Sequence, residues 1–164
     1  QTLEYVSKLN KSLLLLSKID NHQFSESKDV CLNEVLHRYV NDYQEVYSYR
    51  DIRLEVEEQG ELHWKMNETL AVVLVTNLLK NAFVHNIDKG SIRIIISSKG
   101  IRFGNTGTGE SLDALRIFER FYQGSKKKEG STGLGLAIVD AVCRHSSLQI
   151  CYRFEENMHW FELE

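Results

Sequence analysis

Residues 77–86 read Asn-Leu-Leu-Lys-Asn-Ala-Phe-Val-His-Asn and place polar side chains in an otherwise apolar segment. The apolar spacing before them predicts a helix with most of its circumference buried, and Asn67 is placed to cap its start. Asn77, Asn81 and His85 follow one another at intervals of four residues, so a helix puts them on one face, with neighbours about 6 Å apart. Burying an amide without a partner is costly. This polar stripe must therefore meet solvent, a buried polar network, or a ligand with a metal ion.

The composition is that of a soluble globular protein. The 164 residues are 42% hydrophobic and 26% charged, and the net charge of −3 gives no sign of a nucleic-acid-binding groove. No apolar run reaches the roughly 18 residues that a membrane-spanning helix needs. Cys31, Cys143 and Cys151 have no metal-ligand spacing along the sequence, which indicates reduced thiols in a cytosolic setting.

The first 18 residues carry an apolar stripe at spacings of three and four, which predicts an amphipathic helix like those of helical bundles. Leu14 and Leu15 widen the stripe, as a four-helix bundle requires. One helix cannot bury such a stripe alone, so its partner is either the body of the domain or another chain. Because the sequence starts inside the predicted helix, we favour a helix separated from its bundle and expect a fragment of a longer protein.

The rest of the sequence predicts an α+β fold, a two-layer sandwich with helices on one face of a mixed, mostly antiparallel sheet. Residues 104–109 are too rich in glycine for a regular element. Helical periodicity covers residues 31–47, 67–85, 112–122 and 133–145, and strand alternation covers residues 52–56, 62–66, 92–96, 101–103 and a hairpin over 148–163.

Two glycine-rich stretches point to phosphate and base recognition. Gly133 and Gly135 precede an apolar helical segment, an arrangement in which backbone N–H groups and the helix dipole can meet an anion. Lys126–Lys128, just upstream, could neutralise phosphate charge. Within Gly104–Gly109, the Asn105 amide could recognise a base edge. Each signal is weak alone, because glycines often only cap helices, lysines often only solvate loops, and asparagine tolerates left-handed turns.

The order of these motifs is far more specific than any one of them. It resembles the catalytic, ATP-binding domain of bacterial sensor histidine kinases, in the superfamily shared with gyrase, the Hsp90 chaperones and MutL. The matching segments are the N box at Asn77–Ala82, the first glycine box at Asn105–Gly109, the F box at Phe118–Phe121, and the second glycine box at Thr132–Ile138. The resemblance implies the Bergerat fold for residues 21–164. Residues 1–20 resemble the second helix of the dimerisation and histidine-phosphotransfer bundle.

The resemblance also implies a site for ATP and Mg²⁺. Asn81 would bind the Mg²⁺ that bridges the phosphates, with Asn77 assisting from one turn earlier, since oxygen ligands suit this ion. Asn105 would contact the adenine amino group, and Gly107 and Gly109 would shape the pocket around the base.

A lid and a phosphate cradle complete the implied site. Residues 110–132 would form the ATP lid, and Arg120 would supply a cation near it. His85 or the lid lysines would take the place of the phosphate-binding residue that the family has beside the N box. Backbone amides at the start of the last helix would hold the phosphates; these residues are Thr132, Gly133, Leu134, Gly135 and Leu136.

The sequence departs from the family pattern at three places. Asn105 stands where the family usually has Asp, and its carbonyl can accept from the adenine amino group without charge assistance, so we expect weaker adenine binding. Val84-His85 replaces a common Lys-Tyr pair, and Gln123 replaces a common Arg.

Asn77 bears on the reaction class. Relatives that hydrolyse ATP have a Glu there as general base for water, whereas a phosphotransfer enzyme relies on positioning and charge neutralisation. We therefore expect a protein histidine kinase. None of the six histidines lies in the family's phosphoacceptor signature, so the acceptor would lie upstream of Gln1 on the histidine-bearing bundle.

The resemblance implies further partners: a response-regulator receiver domain, and a second copy of the full-length protein in a homodimer. The full-length protein would be membrane-anchored with this part in the cytoplasm, and no direct contact with nucleic acid is expected. One alternative is a degenerate nucleotide-binding scaffold without efficient kinase activity. Another is a serine kinase of the anti-sigma-factor type, which residues 1–20 argue against because that class lacks the bundle helix.

Overall fold

The chain forms four α-helices and seven β-strands within residues 2–107, 109–122 and 133–164, which the computed structural model describes. The helices are α1 (Leu3–Asp20), α2 (Leu32–Val46), α3 (Glu68–Val84) and α4 (Gly135–His145), with a short 3₁₀ helix at Ser48–Arg50. The strands are β1 (Lys28–Cys31), β2 (Arg53–Glu58), β3 (His63–Met66), β4 (Ser91–Ser97), β5 (Gly100–Thr106), β6 (Ile150–Glu155) and β7 (Met158–Leu163).

Five strands make the main sheet, in the order β2-β4-β5-β7-β6. Only β2 and β4 run parallel, and the other neighbours are antiparallel. Residues directly opposite one another share a face of the sheet. One such row contains Val56, Ile94, Phe103, Phe161 and Tyr152, and it forms part of the apolar inner face. The mixed, mostly antiparallel sheet that the sequence predicted is confirmed.

The helices cover this inner face, with contacts in the order α1, α4, α3, α2. The central helix α3 is apolar around most of its circumference and buries eight residues, since it touches the sheet and two helices. Its start is capped as predicted, because the Asn67 side chain accepts a hydrogen bond of 3.1 Å from the backbone N–H of Leu70. The predicted α+β sandwich is therefore confirmed.

A second, two-stranded sheet pairs β1 with β3 in antiparallel register. The sequence predicted strands on both sides of Gly60, and both exist. They do not pair with each other, however, because β2 joins β4 in the main sheet and β3 joins β1. The chain therefore leaves the main sheet at Gly60 and enters a separate ribbon before α3 begins.

Helix α1 divides its apolar stripe between two environments. Leu16 and Ile19, near its C-terminal end, are buried in the core beside α4. Leu3 and Val6 near its N-terminal end are 89% and 41% exposed. The C-terminal half thus packs on the body of the domain, whereas the N-terminal stripe is uncovered. No helix among the described residues is both long and apolar enough to cross a bilayer.

The helix expected over residues 112–122 does not form, so this prediction was wrong. Asp113 Oδ1 instead accepts from the Leu115 N–H, and its carbonyl accepts from the N–H groups of both Arg116 and Ile117. These contacts are those of a helix N-cap, but only a single turn follows them. Since Leu115 is also 93% exposed, little apolar burial favours a helix here, and the segment is a series of turns.

The prediction that residues 104–109 would form no regular element was also wrong in part. Strand β5 continues through Gly104 and Asn105 to Thr106, because β7 pairs with all three. Gly104 fits in this strand since the Trp160 ring lies where its Cβ would stand, 2.5 Å from the nearest ring atom. Irregular structure therefore begins only at Gly107.

A buried polar network joins the end of α3 to two strands, and its centre is Asn86. The Asn86 Nδ2 donates to the carbonyls of Ala82 and Ser91, both at 3.1 Å. Its Oδ1 accepts from the Ile87 N–H at 2.8 Å and from the Thr106 hydroxyl at 2.6 Å. This residue belongs to the stretch that opens the sequence analysis, but its role had not been predicted.

We expect Asn86→Ala to lower the free energy of unfolding by about 2–4 kcal/mol, because it leaves several buried groups unpaired at about 1–3 kcal/mol each. Urea denaturation of both proteins measures the change. The control is Asn21→Ala at the exposed end of α1, which should change stability by less than about 1 kcal/mol. Equal effects of the two substitutions would contradict the assignment.

Candidate nucleotide-binding site

The polar stripe of α3 faces the start of α4. Asn77 Nδ2 donates to the Val73 carbonyl at 2.8 Å. Its Oδ1 lies 3.5 Å from the position that a Cβ at Gly135 would take. Helices α3 and α4 pack against each other. The fold thus brings the predicted N box and the second glycine box into contact, although they are more than fifty residues apart in sequence.

Asn81 and His85 continue the stripe in different ways. The half-buried Asn81 side chain makes no hydrogen bond within the described part of the chain, so its amide is available to a ligand. His85 is the C-cap of α3, and its N–H donates to the Asn81 carbonyl at 3.1 Å. The His85 carbonyl lies 3.4 Å from the Cβ position of Gly107. The end of α3 therefore also meets the first glycine box.

Asn105 lies where the apolar inner face of the sheet ends. Its row across the sheet contains Leu54, Ile92, His159 and Phe154, so Asn105 and His159 are the two polar members of an otherwise apolar row. Both are buried. Asn105 Nδ2 donates to the Thr106 carbonyl at 2.8 Å, which commits the donor end of the amide to the backbone. The carbonyl end is the one that can accept from a ligand.

A hydrogen-bonded chain beneath Gly107 had not been predicted. The His159 ring lies 2.8 Å from the Cβ position of Gly107, so only glycine fits there. The Tyr152 hydroxyl accepts from the Leu112 N–H at 2.9 Å and lies 2.7 Å from His159 Nδ1. Since His159 Nδ1 is the acceptor that the described residues offer to the Tyr152 hydroxyl proton, we assign Tyr152 as the donor of this bond, which places the proton of the neutral histidine on Nε2 beside Gly107.

The burial of this histidine has an electrostatic consequence. Desolvation lowers the pKa of His159 below its ordinary value of 6.5, which favours the neutral ring that the hydrogen bond from Tyr152 requires. A sequence signal for the pair did exist. In a hairpin that turns at residues 156–157, Tyr152 and His159 fall on one face as diagonal neighbours.

The second glycine box closes onto the F box. The Phe121 N–H donates to the Gly133 carbonyl at 2.8 Å. Gly133 has a φ of +72°, and a Cβ there would lie 2.7 Å from the Phe121 Cα, so both conformation and space require glycine. Leu134, the N-cap of α4, is fully buried, and Leu136 packs partly buried against the core. Thr132 lies outside the described residues.

Gly109, predicted to shape the base pocket, and the residues predicted for the lid lie in different surroundings. Gly109 has a φ of +78°, and no described residue other than its chain neighbours places a heavy atom within 4 Å of its Cβ position. Arg120 Nη2 lies 3.1 Å from Asp20 Oδ2, so its guanidinium is paired with the end of α1. Residues 123–132, including Gln123 and the three lysines, lie outside the described part.

Arg50 binds carbonyls at the C-terminal end of α3, a role that the sequence analysis did not predict. Its guanidinium donates to the Phe83 carbonyl and, at 2.7 Å, to the Asn86 carbonyl, and its Nε lies 2.9 Å from Asp88 Oδ1. A cation at the C-terminal end of a helix satisfies unpaired carbonyls and favours the dipole. No local pattern around Arg50 signals this role, because the contact spans more than thirty residues.

Residues 66–159 match the family model described as histidine kinase-, DNA gyrase B-, and HSP90-like ATPase. The chain belongs to this ATPase family. Among curated proteins, the ATPase domain is similar to the sensor histidine kinase RppB of Synechocystis, with 32% identity over 147 residues, covering 84% of this chain and 32% of that protein. It is equally similar, at 32% identity over 143 residues, to the heme sensor protein HssS of Staphylococcus saprophyticus, covering 84% and 31%.

The chain spans about a third of the length of these curated relatives. Solved structures with the same fold include the mycobacterial sensor histidine kinase MprB, with a TM-score of 0.73 at 20% identity, covering 84% of this chain and 95% of that one. The catalytic domain of the histidine kinase ThkA gives 0.72 at 21%, covering 84% and 94%. Residues 66–159 therefore form a histidine kinase-, DNA gyrase B-, and HSP90-like ATPase domain, and the chain has the same fold as these kinase structures.

We expect the stability of the ATPase domain to fall between neutral pH and about pH 5.5, partly because of His159. The unfolded chain takes up a proton near pH 6.5, whereas the folded domain keeps this ring neutral to lower pH. Its contribution is therefore present above pH 6.5 and is lost as the pH falls below it.

His159→Asn retains an acceptor for Tyr152 but does not titrate, so its urea-denaturation midpoint should change less between these pH values than that of the wild type. The matched control is His22→Asn at the exposed end of α1, which should keep the wild-type pH dependence. A His159→Asn variant with unchanged pH dependence would refute the buried neutral ring.

Proposed function

We propose that this ATPase domain holds ATP with Mg²⁺ between α3, α4 and the end of β5, and transfers the γ-phosphoryl group to a histidine on a bundle upstream of residue 1. The observation that carries the proposal is the contact of the α3 polar stripe with the glycine entry to α4, at Asn77 and Gly135. An amide stripe suits a metal ion, and a helix start suits phosphate.

Asn81 and Asn77 are the proposed Mg²⁺ residues. Asn81 has no competing hydrogen bond among the described residues, and its amide oxygen is a suitable ligand for this ion. Asn77 uses its Nδ2 on the Val73 carbonyl, which leaves its oxygen toward Gly135. Bound there, Mg²⁺ would neutralise charge on the phosphates, and these two residues would position it.

The phosphates are proposed to meet the backbone of Gly133, Leu134, Gly135 and Leu136, together with Thr132. The Leu134 side chain cannot cap α4, so the N–H groups of the first turn are not satisfied by a cap side chain. The helix dipole favours an anion at this end. His85 is a proposed neighbour of the phosphates from the end of α3.

The adenine is proposed to lie at Asn105, Gly107 and Gly109. The orientation of the Asn105 amide supports this, because its oxygen is the end not used on the Thr106 carbonyl. The hydrogen-bonded His159 ring supports the base side of the pocket through Gly107. Without the charge of an Asp, the amide should bind adenine more weakly than the family pattern does.

Arg120 is proposed as a cation that exchanges partners. Its ion pair with Asp20 is half-exposed and therefore worth little, about 0–1 kcal/mol. A triphosphate is a stronger anion and could draw the guanidinium away from α1. Residues 110–132 are proposed as the lid over the nucleotide.

Phosphoryl transfer rather than hydrolysis is favoured because Asn77 cannot act as a base for water. The proposed division is residues 1–20 as the second bundle helix and residues 21–164 as the catalytic domain. The exposed Leu3 and Val6 support this division, since a bundle partner would cover them. We further propose that this part of the protein lies in the cytoplasm, that the whole protein is anchored in a membrane, and that it forms a homodimer.

The proposed second partner is a response-regulator receiver domain. Two solved neighbours bear on the partners: ThkA has been solved in complex with the response regulator protein TrrA, and ShkA in complex with AMPPNP. Recognition of the receiver would involve the bundle helix as well as the ATPase domain.

Asn81→Ala should weaken ATP binding in the presence of Mg²⁺ by about 10- to 100-fold, because it removes a contact to a charged group worth about 1.5–3 kcal/mol. Calorimetric titration with and without Mg²⁺ measures this. Binding without Mg²⁺ should change little. Asn21→Ala is the matched control and should bind as the wild type does. Wild-type affinity of Asn81→Ala for ATP with Mg²⁺ would eliminate Asn81 as the metal ligand.

Asn105→Ala should weaken ATP binding by about tenfold and reduce the preference for ATP over GTP, because a neutral hydrogen bond of about 1 kcal/mol is lost together with local order. Affinity for GTP serves as the internal control, since it reports on the phosphate half of the site. An unchanged affinity for ATP would show that Asn105 does not contact adenine.

The kinase proposal is tested by incubating the chain with radiolabelled ATP and Mg²⁺, with and without a supplied bundle that carries the acceptor histidine. We expect acid-labile label on the bundle only, and none on the chain alone. Asn81→Ala should abolish transfer. ATP binding without any transfer would favour the nucleotide-binding scaffold instead, and efficient self-labelling of the isolated chain would contradict the upstream acceptor.

A further inference from the structure

The β1–β3 ribbon gathers chemically distinctive side chains on one face. Cys31, the last residue of β1, lies directly opposite His63, the first residue of β3. Directly opposed residues in an antiparallel pair project to the same face, and so does Asp29, two residues before Cys31. Glu61 precedes β3 and lies beside them. The neighbouring Val30 is buried on the other face, in the core.

Three of these side chains have the spacing of metal ligands. Ligand atoms of Cys31, Glu61 and His63 all lie within 4.8 Å of one another. His63 Nε2 is 3.6 Å and Cys31 Sγ is 3.9 Å from Glu61 Oε1. Zinc bonds of about 2.0–2.3 Å in a tetrahedral site place donor atoms about 3.3–3.6 Å apart. The two distances to Glu61 Oε1 are close to this spacing, and the Cys31 and His63 ligand atoms, at most 4.8 Å apart, would have to approach each other by up to about 1 Å to complete the geometry.

Asp29 orients the imidazole for such a site. His63 Nδ1 lies 3.1 Å from Asp29 Oδ2, so the ring donates its Nδ1 proton to the carboxylate. In a neutral ring this hydrogen bond leaves the lone pair on Nε2, the nitrogen that lies 3.6 Å from Glu61 Oε1. Histidines that bind metal commonly donate their other ring N–H to a carboxylate in this way.

Asn33 fixes the loop that carries Glu61. Its buried Nδ2 donates to the Gly60 carbonyl at 3.0 Å, and its Oδ1 accepts from the Leu62 N–H at 2.8 Å. Both neighbours of Glu61 are thereby held, although Glu61 itself is exposed. Cys31 directly precedes α2, and its position is set by the pairing of β1. The cluster therefore lies on backbone that is already ordered.

We propose that Cys31, Glu61 and His63 bind a divalent transition metal ion of the Zn²⁺ type, with water as the fourth ligand and Asp29 as a positioning residue. The ligands are the thiolate, one carboxylate oxygen and Nε2. Binding displaces the proton of the Cys31 thiol, so affinity rises with pH. Thiolate and imidazole favour Zn²⁺ over Mg²⁺, which separates this site from the nucleotide site.

Two negative ligands and a neutral imidazole balance the charge of one divalent ion. This cluster is the only group of three such ligands within residues 2–107, 109–122 and 133–164. The alternative is a set of surface ion pairs of His63 with Asp29 and Glu61, in which the thiol only donates weakly, at 3.9 Å, to Asn33 Oδ1 and Glu61 Oε1. The test must therefore show whether the Cys31 thiolate binds the metal ion.

The test is titration of the intact chain with Co²⁺, whose thiolate bond gives a charge-transfer absorption band. The wild type should show this band, excess Zn²⁺ should remove it, and excess Mg²⁺ should not. Cys31→Ser and His63→Gln should abolish it. The matched control is Cys151→Ser, because Cys151 also lies beside a carboxylate, Glu162 at 3.7 Å, but belongs to no group of three ligands.

Asp29→Asn should retain the band and weaken Co²⁺ binding by about 10- to 100-fold, the usual effect of losing a carboxylate partner of a metal-bound histidine. Zn²⁺ should raise the thermal unfolding temperature of the wild type and not that of Cys31→Ser. No charge-transfer band in the wild type, or a band that survives Cys31→Ser and disappears in Cys151→Ser, would overturn the proposal. ATP binding by Cys31→Ser should equal that of the wild type.

Discussion

The architecture of the nucleotide site depends on one buried amide. Asn86 uses both ends of its side chain to join the last turn of α3 to the start of β4 and the end of β5. The stripe on α3 and the β5 residues that we propose to contact adenine come from distant parts of the sequence. Their relative position is set where these elements are hydrogen-bonded together. Arg50 strengthens the same junction from outside by binding carbonyls at the end of α3.

Local patterns predicted the elements well, but long-range contacts decided the site. The Asn67 cap, the apolar α3 and the β4–β5 hairpin follow from spacing alone, and the structure contains them. Residues 112–122 do not form the predicted helix because the turn that Asp113 caps is not continued where Leu115 is exposed, and periodicity does not report that lack of burial. The motif order carried the family assignment, whereas the partners of Arg120 and Arg50 could not be deduced, because both contacts join residues far apart in sequence.

Long-range contacts also decide the Cys31–His63 metal site that we propose and the Tyr152–His159 pair. Cys31 and His63 are thirty-two residues apart, and no cysteine spacing along the chain suggests a metal. They become neighbours only because β3 pairs with β1 and not with β2, the strand just before it in the sequence. Tyr152 and His159 are close in sequence, but their hydrogen bond to Leu112 depends on where the chain passes after β5. Sequence patterns therefore predicted the strands but not which strands pair, and the pairing decides which of these residues become neighbours.

The hydrogen bond between Phe121 and Gly133 has a consequence for how the chain can vary. It holds the two ends of the intervening residues together, so the fold of the elements on either side does not depend on the number of residues between them. Closing a longer loop between fixed ends adds only about 0.6 kcal/mol for each doubling of its length. Insertions between these two residues should therefore be tolerated far better than a substitution of Gly133 itself, and this position offers a place to attach a reporter group without unfolding the domain.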